Sequence, residues 1–428
     1  MRCGNNGRVT TPQELDEQFR AAIGGLTAPA SGQDPHAPVR AGSALTGAAA
    51  MELFAAQLAS RHLDLAARWL RSFGEGFYTI GSSGHEGNAA VAAALRPDDP
   101  ALLHYRSGAF FCARAAQRGG MDPVRDVLRG VVAAATEPIA GGRHKVFGHA
   151  DLAVIPTTST IASHLPRAVG LGYAIERARA PRAPRTGTAV ATARRGSSPA
   201  TSWPEDAIVV CSFGDASVNH AVAQAGFNAA GWLTHTGARL PVLFVCEDNG
   251  IGISVRSPQG WVESVLRSRP GLRYEAADGC DLAATYDAAA SLADWVRQER
   301  RPAVLHLPMV RLMGHAGADA EVAYRTGAEI AADVARDPLV FTAGLLVGAG
   351  LLSPDEVLAR YDEVGWQVRR VAEEVITEPK LASAGEVVAP LAPRRPVRVA
   401  RAVTEAADAA SGPSQGVRQE AFGGRLPE

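Results

Sequence analysis

Three short apolar runs constrain this chain more than any other feature. AIVVCSF begins at Ala207, LPVLFVCE at Leu240 and AVLHLPMV at Ala303. They are rich in Val and Leu and show no regular polar alternation. A strand that is apolar on successive residues has no solvent face, so it belongs in a parallel sheet covered on both sides. Helical patterns lie between the runs. The order strand, helix, strand predicts the α/β class, with a parallel sheet sandwiched by helices.

In an open parallel sheet, ligands gather beyond the carboxyl ends of the strands. The first run ends at Gly214, Asp215, Ala216 and Ser217, and the second at Glu247, Asp248, Asn249 and Gly250. If the two strands are neighbours, Asp215 and Asn249 face one another at one sheet edge. A turn that grips phosphate usually carries glycines and a Lys or Arg, yet here it carries an acid. A carboxylate oxygen and an amide oxygen are hard ligands suited to Mg²⁺. A bound divalent ion makes the acid compatible with phosphate, because the metal bridges the two. Taken alone, Asp215 could equally be a helix N-cap.

Residues 1–45 are rich in Gly, Pro, Ala and Ser, and read as a flexible arm with one short helix over TPQELDEQFRAAI. A domain follows over 46–387. Within it, GFYTIGSSGHEGNAAVAAAL reads as strand, turn and helix, and ALLHYRSGAFFCARAAQR repeats that order. TSTIASHLPRAVGLGYAIERARA and SPDEVLARYDEVGWQVRRVAEEV read as helices. Ser353, Pro354 and Glu356 form a capping box with Pro at the first position of the second one. Residues 178–205 are rich in Arg, Pro, Ser and Thr and read as a mobile surface insertion. Residues 388–428 read as a linker-like tail.

Net charge is −1 with a pI near 6.8, so no field argues for nucleic acid or anionic lipid. The arginines of the insertion have no interleaved aromatics, which also speaks against a nucleic-acid arm. Cysteines stand at 3, 112, 211, 246 and 280 with no CxxC pair, as expected for reduced, buried, cytosolic thiols. No apolar run reaches the roughly 18 residues of a membrane span. MRCGNNGRVTTPQ lacks a signal-peptide core, so a cytoplasmic location is expected.

GDAS and CEDNG together are similar to the thiamine diphosphate motif, which opens on Gly-Asp-Gly and closes on Asn. GSSGHEGNAAVAAAL, LLHYRSGAFF, TSTIASHLPRAVG, AGFNAAG, CEDNGIGIS, YEAADGCDLAATYDAA and VRLMGHAGADAEVAYR follow in family order. Over about residues 48–380 the chain resembles the alpha chain of the thiamine-dependent first component of 2-oxo acid dehydrogenase complexes, of the branched-chain and pyruvate types. The resemblance implies a thiamine diphosphate-binding fold. It also implies that Asp215 and Asn249 bind Mg²⁺ by side chain and Ile251 by its carbonyl. Tyr105 and Arg106 would hold the diphosphate, as would Gly214 and the backbone N–H groups of Ala216 and Ser217 at a helix N-terminus. Ser159 and Ile161 would meet the aminopyrimidine ring. Thr158, Thr160, Ser163 and His164 fall where family members bind a structural potassium ion. His315 would lie near the diphosphate and the reacting carbon and assist acyl transfer to a lipoyl group.

Several positions depart from the family. Ala216 replaces the second Gly of the motif, and the Asp215-to-Asn249 interval is a few residues longer, lengthening the loop around THTGAR. Glu247 stands where the branched-chain type often has an Arg and the pyruvate type a Glu, and His164 replaces a Gln. AGADAEVAYR after His315 lacks the serines that a kinase modifies in relatives. Other readings stay open: Arg106 as a surface ion pair, His315 as a loop histidine, His164 as a satisfied buried histidine, and His85 and Glu86 as structure or interface. The glycines of GSSGHEG lack the spacing of a dinucleotide loop.

The implied reaction is decarboxylation of a 2-oxo acid, branched-chain before pyruvate, with acyl transfer to the lipoyl group of a dihydrolipoyl acyltransferase. No candidate stands here for the glutamate that activates the cofactor, which the family supplies from a beta subunit or a fused beta half. The chain is therefore expected to be inactive alone and to act in an α₂β₂-type assembly. Alternatives are a pyruvate or acetoin enzyme and a non-catalytic cofactor-binding subunit.

Overall fold

The computed structural model describes residues 11–179, 203–391 and 395–410. The chain divides into two units, 1–380 and 381–428. The first holds α1 (Pro12–Gly24), α2 (Gly47–Ser72), α3 (Asn88–Ala93), β1 (Ala101–Leu102), α4 (Gly108–Arg118), α5 (Pro123–Val131), α6 (Leu165–Arg179) and β2 (Val209–Gly214). It continues through a 3₁₀ turn (Asp215–Asn219), α7 (Ala221–His235), β3 (Val242–Asp248), β4 (Ile251–Gly252), β5 (Val255–Arg256), α8 (Trp261–Arg267) and β6 (Arg273–Ala276). It closes with α9 (Leu282–Glu299), β7 (Ala303–Pro308), a second 3₁₀ turn (Glu321–Ala323), α10 (Gly327–Val334), α11 (Pro338–Gly348) and α12 (Pro354–Val375).

Five strands form one parallel sheet in the order β1-β2-β3-β7-β6. The three apolar runs are its central strands. Successive residues of each strand enter opposite cores, as a strand buried on both faces requires. Ile208, Val210, Leu243, Val245, Leu305 and Leu307 pack with α2, α3, α4, α9, α11 and α12. Val209, Cys211, Phe213, Val242, Phe244, Cys246 and Val304 pack with α6, α7 and α8. On that second face Phe227 of α7 meets Phe213 and Phe244 edge-on, with ring centroids 5.5 and 5.3 Å apart. Cys112, Cys211, Cys246 and Cys280 are free and buried.

Three expectations change. Residues 11–45 are packed rather than loose: Leu15, Phe19 and Ile23 of α1 are buried, and the Phe19 ring stacks on Tyr361 of α12 at 4.5 Å. The apolar spacing within α1 supplied that face, but low overall periodicity hid it. GFYTI forms no strand, because no sheet edge is offered to it, and it runs as extended coil into the turn before α3. In the second unit, α13 (Ala384–Val388) is followed by α14 (Pro396–Ala410), where a linker was expected. Alanine-rich sequence, Pro at the first position and the Arg401–Glu405 pair at 3.0 Å favour helix there. Most of the 178–205 insertion, residues 180–202, lies outside the described residues. The capping box of Ser353 and Glu356 forms as read, with Pro354 opening α12.

Some buried charges inside the first unit are paired with carboxylates, while Arg114 leans on backbone carbonyls. Arg61 of α2 is fully buried between Glu86 at 2.7 Å and Asp337 at 2.8 Å. His62, beside it, is pushed down to about 4 by burial and then by the Arg61 charge. His164 is pushed down to about 4 chiefly by burial. Both histidines are neutral when folded and bind a proton more readily when unfolded, so stability is lost as pH falls from about 6.5 toward about 4. Each contributes a loss of about 2 kcal/mol at pH 5. Denaturant unfolding at pH 7 and pH 5 should show this drop, and His62→Phe should shrink it by about 2 kcal/mol. An undiminished drop in the variant would exclude His62 as a source.

Candidate active site at the carboxyl ends of the strands

Strand register sets the site. β2 pairs with β3 so that Gly214 lies opposite Glu247, and β3 pairs with β7 so that Asp248 lies opposite Pro308. Asp215 and Asn249 therefore emerge side by side beyond two adjacent strands. Gly214 is required where it stands: a side chain there would come within 2.9 Å of the His104 ring. Asp215 is buried and its Oδ2 accepts a hydrogen bond from the Ser257 hydroxyl. Ser257 reaches it because β4 and β5 form a hairpin that turns back, closed by the Ser257 N–H on the Gly250 carbonyl at 2.9 Å. Burial and then the Asp248 carboxylate push the Asp215 carboxyl upward. Two carboxylates at one buried edge repel each other, and a cation between them would remove that penalty.

The Asn249 amide is held at both ends. Its Oδ1 accepts from the Ile251 N–H at 3.2 Å, and its Nδ2 lies 2.8 Å from His85 Nε2. His85 Nδ1 is 2.8 Å from Glu247 Oε2. One tautomer satisfies all of this: Nδ1–H donates to Glu247 and Nε2 accepts from Asn249. His85 is fully buried and burial pushes it below its ordinary value, so the imidazole is neutral. Glu247 also accepts from the Ser107 hydroxyl at 2.5 Å and from Asn88 at 3.3 Å. Burial opposes its charge, yet the His104 and His85 imidazoles turned toward it hold its carboxyl below the ordinary range. Glu86, by contrast, belongs to the Arg61 network and to the Gly84 N–H at 2.7 Å. The GHEG segment thus splits into one residue serving the site and one serving the core. Gly84, at φ +99°, lets this turn touch the Val310 carbonyl, where any side chain would collide.

Beside the oxygen donors lies a cationic wall. Arg106 is buried, donates to the Gly81 carbonyl and lies 3.4 Å from the His315 carbonyl. Among the described residues no carboxylate pairs with it, unlike Arg61. Arg311 bonds the Ile253 carbonyl at 2.8 Å and the Tyr324 hydroxyl at 2.6 Å, and Arg68 bonds the Gly314 carbonyl at 2.9 Å. Burial and then the Arg106 charge push Arg311 downward. His315 is pushed down to about 4 by burial, Arg106 and Arg311 in that order, so its half-buried ring is neutral at pH 7. The Tyr105 ring stands edge-on to it at 5.9 Å. Asp319 lies 4.0 Å from Arg311, so the buried charge without a carboxylate is Arg106, a ready anion site.

Other expected residues fall less simply. Ala216 and Ser217 lie in the five-residue 3₁₀ turn, and the long helix α7 begins only at Ala221, capped by His220. They offer N–H groups from a turn, not from the N-terminus of a long helix. The Ala216 methyl is accommodated because Gly252 faces it; a Cβ on Gly252 would come within 2.5 Å. The connection from α7 to β3, which contains THTGAR, lies at the opposite end of the sheet from the site. Thr158, Thr160 and Ser163 share one exposed turn, with Ser163 donating to the Thr160 carbonyl at 2.9 Å. His164 turns away from them into the core, 2.7 Å from the Ser212 carbonyl. Ser159 lies 3.0 Å from His144, and Ile161 is exposed. Sequence reasoning missed Arg68, Arg311 and the roles of His85 and His104. An Arg just past the third apolar run was the one available signal.

The contact between Gly214 and His104 is testable by unfolding. Gly214→Ala should destabilise by about 1–3 kcal/mol through overpacking. His104→Ala in the same chain should recover part of that loss, a coupling that additive effects would not show.

The Dehydrogenase E1 component family model matches residues 56–383. The chain is 25% identical over 343 residues to the 2-oxoisovalerate dehydrogenase subunit alpha of Bacillus subtilis (strain 168), covering 78% of this chain and 93% of that protein. It is 29% identical over 181 residues to the human testis-specific pyruvate dehydrogenase E1 component subunit alpha, 41% of this chain and 44% of that protein. It is 26% identical over 187 residues to the mouse mitochondrial 2-oxoisovalerate dehydrogenase subunit alpha, 43% of this chain and 36% of that protein. With the human and mouse proteins the match spans less than half of the relative's length.

Proposed function

The chain belongs to the dehydrogenase E1 component family, and from that premise we propose that it is the alpha component of a thiamine diphosphate-dependent 2-oxo acid dehydrogenase. One observation carries the reading: an oxygen-donor pair, buried Asp215 and half-buried Asn249, emerges beyond two adjacent strands. The neighbouring Arg106 is buried without a carboxylate partner among the described residues. This combination suits a divalent cation bridging to a diphosphate. Asp215 and Asn249, with the Ile251 carbonyl, would hold Mg²⁺. Arg106 would take the diphosphate, with Tyr105 beside it.

Bound thiamine diphosphate supplies the electron sink for loss of carbon dioxide from the 2-oxo acid. The chain's own residues place and neutralise the charges around it. His315 is neutral at pH 7, so its imidazole offers one protonated and one free nitrogen. It can give or take a proton as the acyl group passes to a lipoyl sulfur. The hairpin of β4 and β5 closes the metal edge through Ser257.

Branched-chain 2-oxo acids are the substrate class supported by the near-full-length match to a 2-oxoisovalerate enzyme. Pyruvate is the second reading, favoured by Glu247 in place of an Arg. The partners are a beta component, which would supply the activating glutamate, and a lipoyl-bearing acyltransferase. The assembly would work in the cytoplasm.

Calorimetric titration of thiamine diphosphate into the chain assembled with its beta component tests the site. Binding should require Mg²⁺, vanish in EDTA and weaken at least tenfold in Asp215→Ala, more than ~1.4 kcal/mol. No binding by the assembled protein would make it a non-catalytic subunit. Turnover of a 2-oxo acid by the isolated chain would refute the requirement for a beta component.

A further inference from the structure

Behind the Asn249 amide lies a second donor set that the reading above does not use. His85, His104 and Glu247 converge with their ligand atoms within 4.8 Å of one another, all buried. His85 Nδ1 lies 2.8 Å and His104 Nδ1 lies 3.6 Å from the same Glu247 oxygen. The second distance is too long for a hydrogen bond, and His104 Nδ1 is a buried atom with no partner. Glu247 has no exposed surface, and among the described residues no Arg or Lys pairs with it. A buried carboxylate without a cation and a buried imidazole without a partner are each costly. One ion would satisfy both.

We infer that His85, His104 and Glu247 form a binding site for a divalent transition ion of the zinc class, separate from the Mg²⁺ edge. Two imidazole nitrogens and a carboxylate are a borderline-soft set that Zn²⁺ or Co²⁺ prefers and Mg²⁺ does not. Four-coordinate zinc with bonds of about 2.0–2.1 Å places ligand atoms roughly 3.3 Å apart. The two distances to the Glu247 oxygen, 2.8 and 3.6 Å, bracket that spacing, and all three ligand atoms lie within 4.8 Å, so a bound ion draws them together. The ligands are held from behind. Ser107 and Asn88 fix Glu247, and the His104 backbone N–H donates to the Ser212 hydroxyl at 2.7 Å. A water completes the fourth position.

Occupancy has a consequence for Asn249, which rests on the Mg²⁺ reading above. An ion on His85 Nδ1 displaces the proton from that nitrogen. The neutral ring then carries its proton on Nε2, 2.8 Å from the Asn249 amide nitrogen. Two donors face each other, so the amide must turn. Its oxygen leaves the Ile251 N–H and its NH₂ takes the place of the oxygen donor for Mg²⁺. The two ions therefore oppose one another.

Chelator-stripped full-length chain titrated with Co²⁺ tests the site by visible absorption. One equivalent should bind with the strong bands of four-coordinate cobalt. His104→Gln should lose those bands while keeping the circular dichroism and melting of the parent, and Glu247→Gln should lose them while keeping the circular dichroism, with a lower melting temperature. Only the weak bands of six-coordinate cobalt, or bands unchanged in both folded variants, would overturn the site. The opposition is read separately in the chain assembled with its beta component. One equivalent of Co²⁺ should raise the Mg²⁺ needed for half-maximal thiamine diphosphate binding about tenfold, and should not do so in His104→Gln. Strong bands with an unmoved Mg²⁺ requirement would refute the opposition alone. Failure of thiamine diphosphate to bind with or without Co²⁺ would refute the Mg²⁺ reading and leave the transition-ion site to be judged by the bands.

Discussion

A single buried carboxylate at the end of the middle strand, Glu247, organises the working edge of this protein. It joins two other pieces of chain: the turn into α3, which carries the His85 ring and the Asn88 amide, and the Ser107 hydroxyl at the start of α4. Each bond satisfies a group that burial would otherwise leave at a cost of roughly 1–3 kcal/mol. Through His85 the same carboxylate sets which way the Asn249 amide points. The orientation of a candidate metal ligand thus depends on a residue two positions before it in sequence, acting through a histidine 164 residues from Asn249 in the chain.

The sheet explains why such a network forms at this edge. Its central strands are largely apolar on both faces, with Ser212 and His306 as polar members, and most polar groups collect beyond their ends. Gly214 and Glu247 mark that boundary in β2 and β3. The same edge carries positive charge that is not cancelled locally. Arg61, also buried, is neutralised by Glu86 and Asp337, whereas Arg106 leans on backbone carbonyls. That contrast separates an arginine built for stability from one kept available for an anion. It is an energetic distinction, since an uncompensated buried charge persists only where a ligand or strong dipoles offset it.

The family match covers the site and much of the chain around it. The family match extends over most of the first unit, including helices remote from the site. The site argument uses a handful of positions at one sheet edge. The Ala216 methyl, at the second position after Gly214, is matched by Gly252, and the α7-to-β3 connection lies at the far end of the sheet. His164, which stands where relatives place an ion ligand, is instead bonded to the Ser212 carbonyl in the core.

Local pattern alone determined a good deal. Continuous apolar runs imply strands covered on both faces, and an acid and an amide just past two such runs imply a hard-cation edge. The capping box at Ser353 was equally legible, because it involves residues three apart. Tertiary structure alone decided the rest. Whether Asp215 and Asn249 meet depends on strand order, and a β-strand carries no local mark of its neighbour. Arg106 and Arg61 look alike in sequence, and only the packing shows which has carboxylate partners. His85, His104 and Glu247 come from three distant segments, so no spacing rule could join them. The helix α1 was hidden for a similar reason: its apolar face is short, and its burial comes from Tyr361 some 340 residues away. Short-range chemistry is written along the chain, whereas charge pairing and desolvation are properties of the folded neighbourhood.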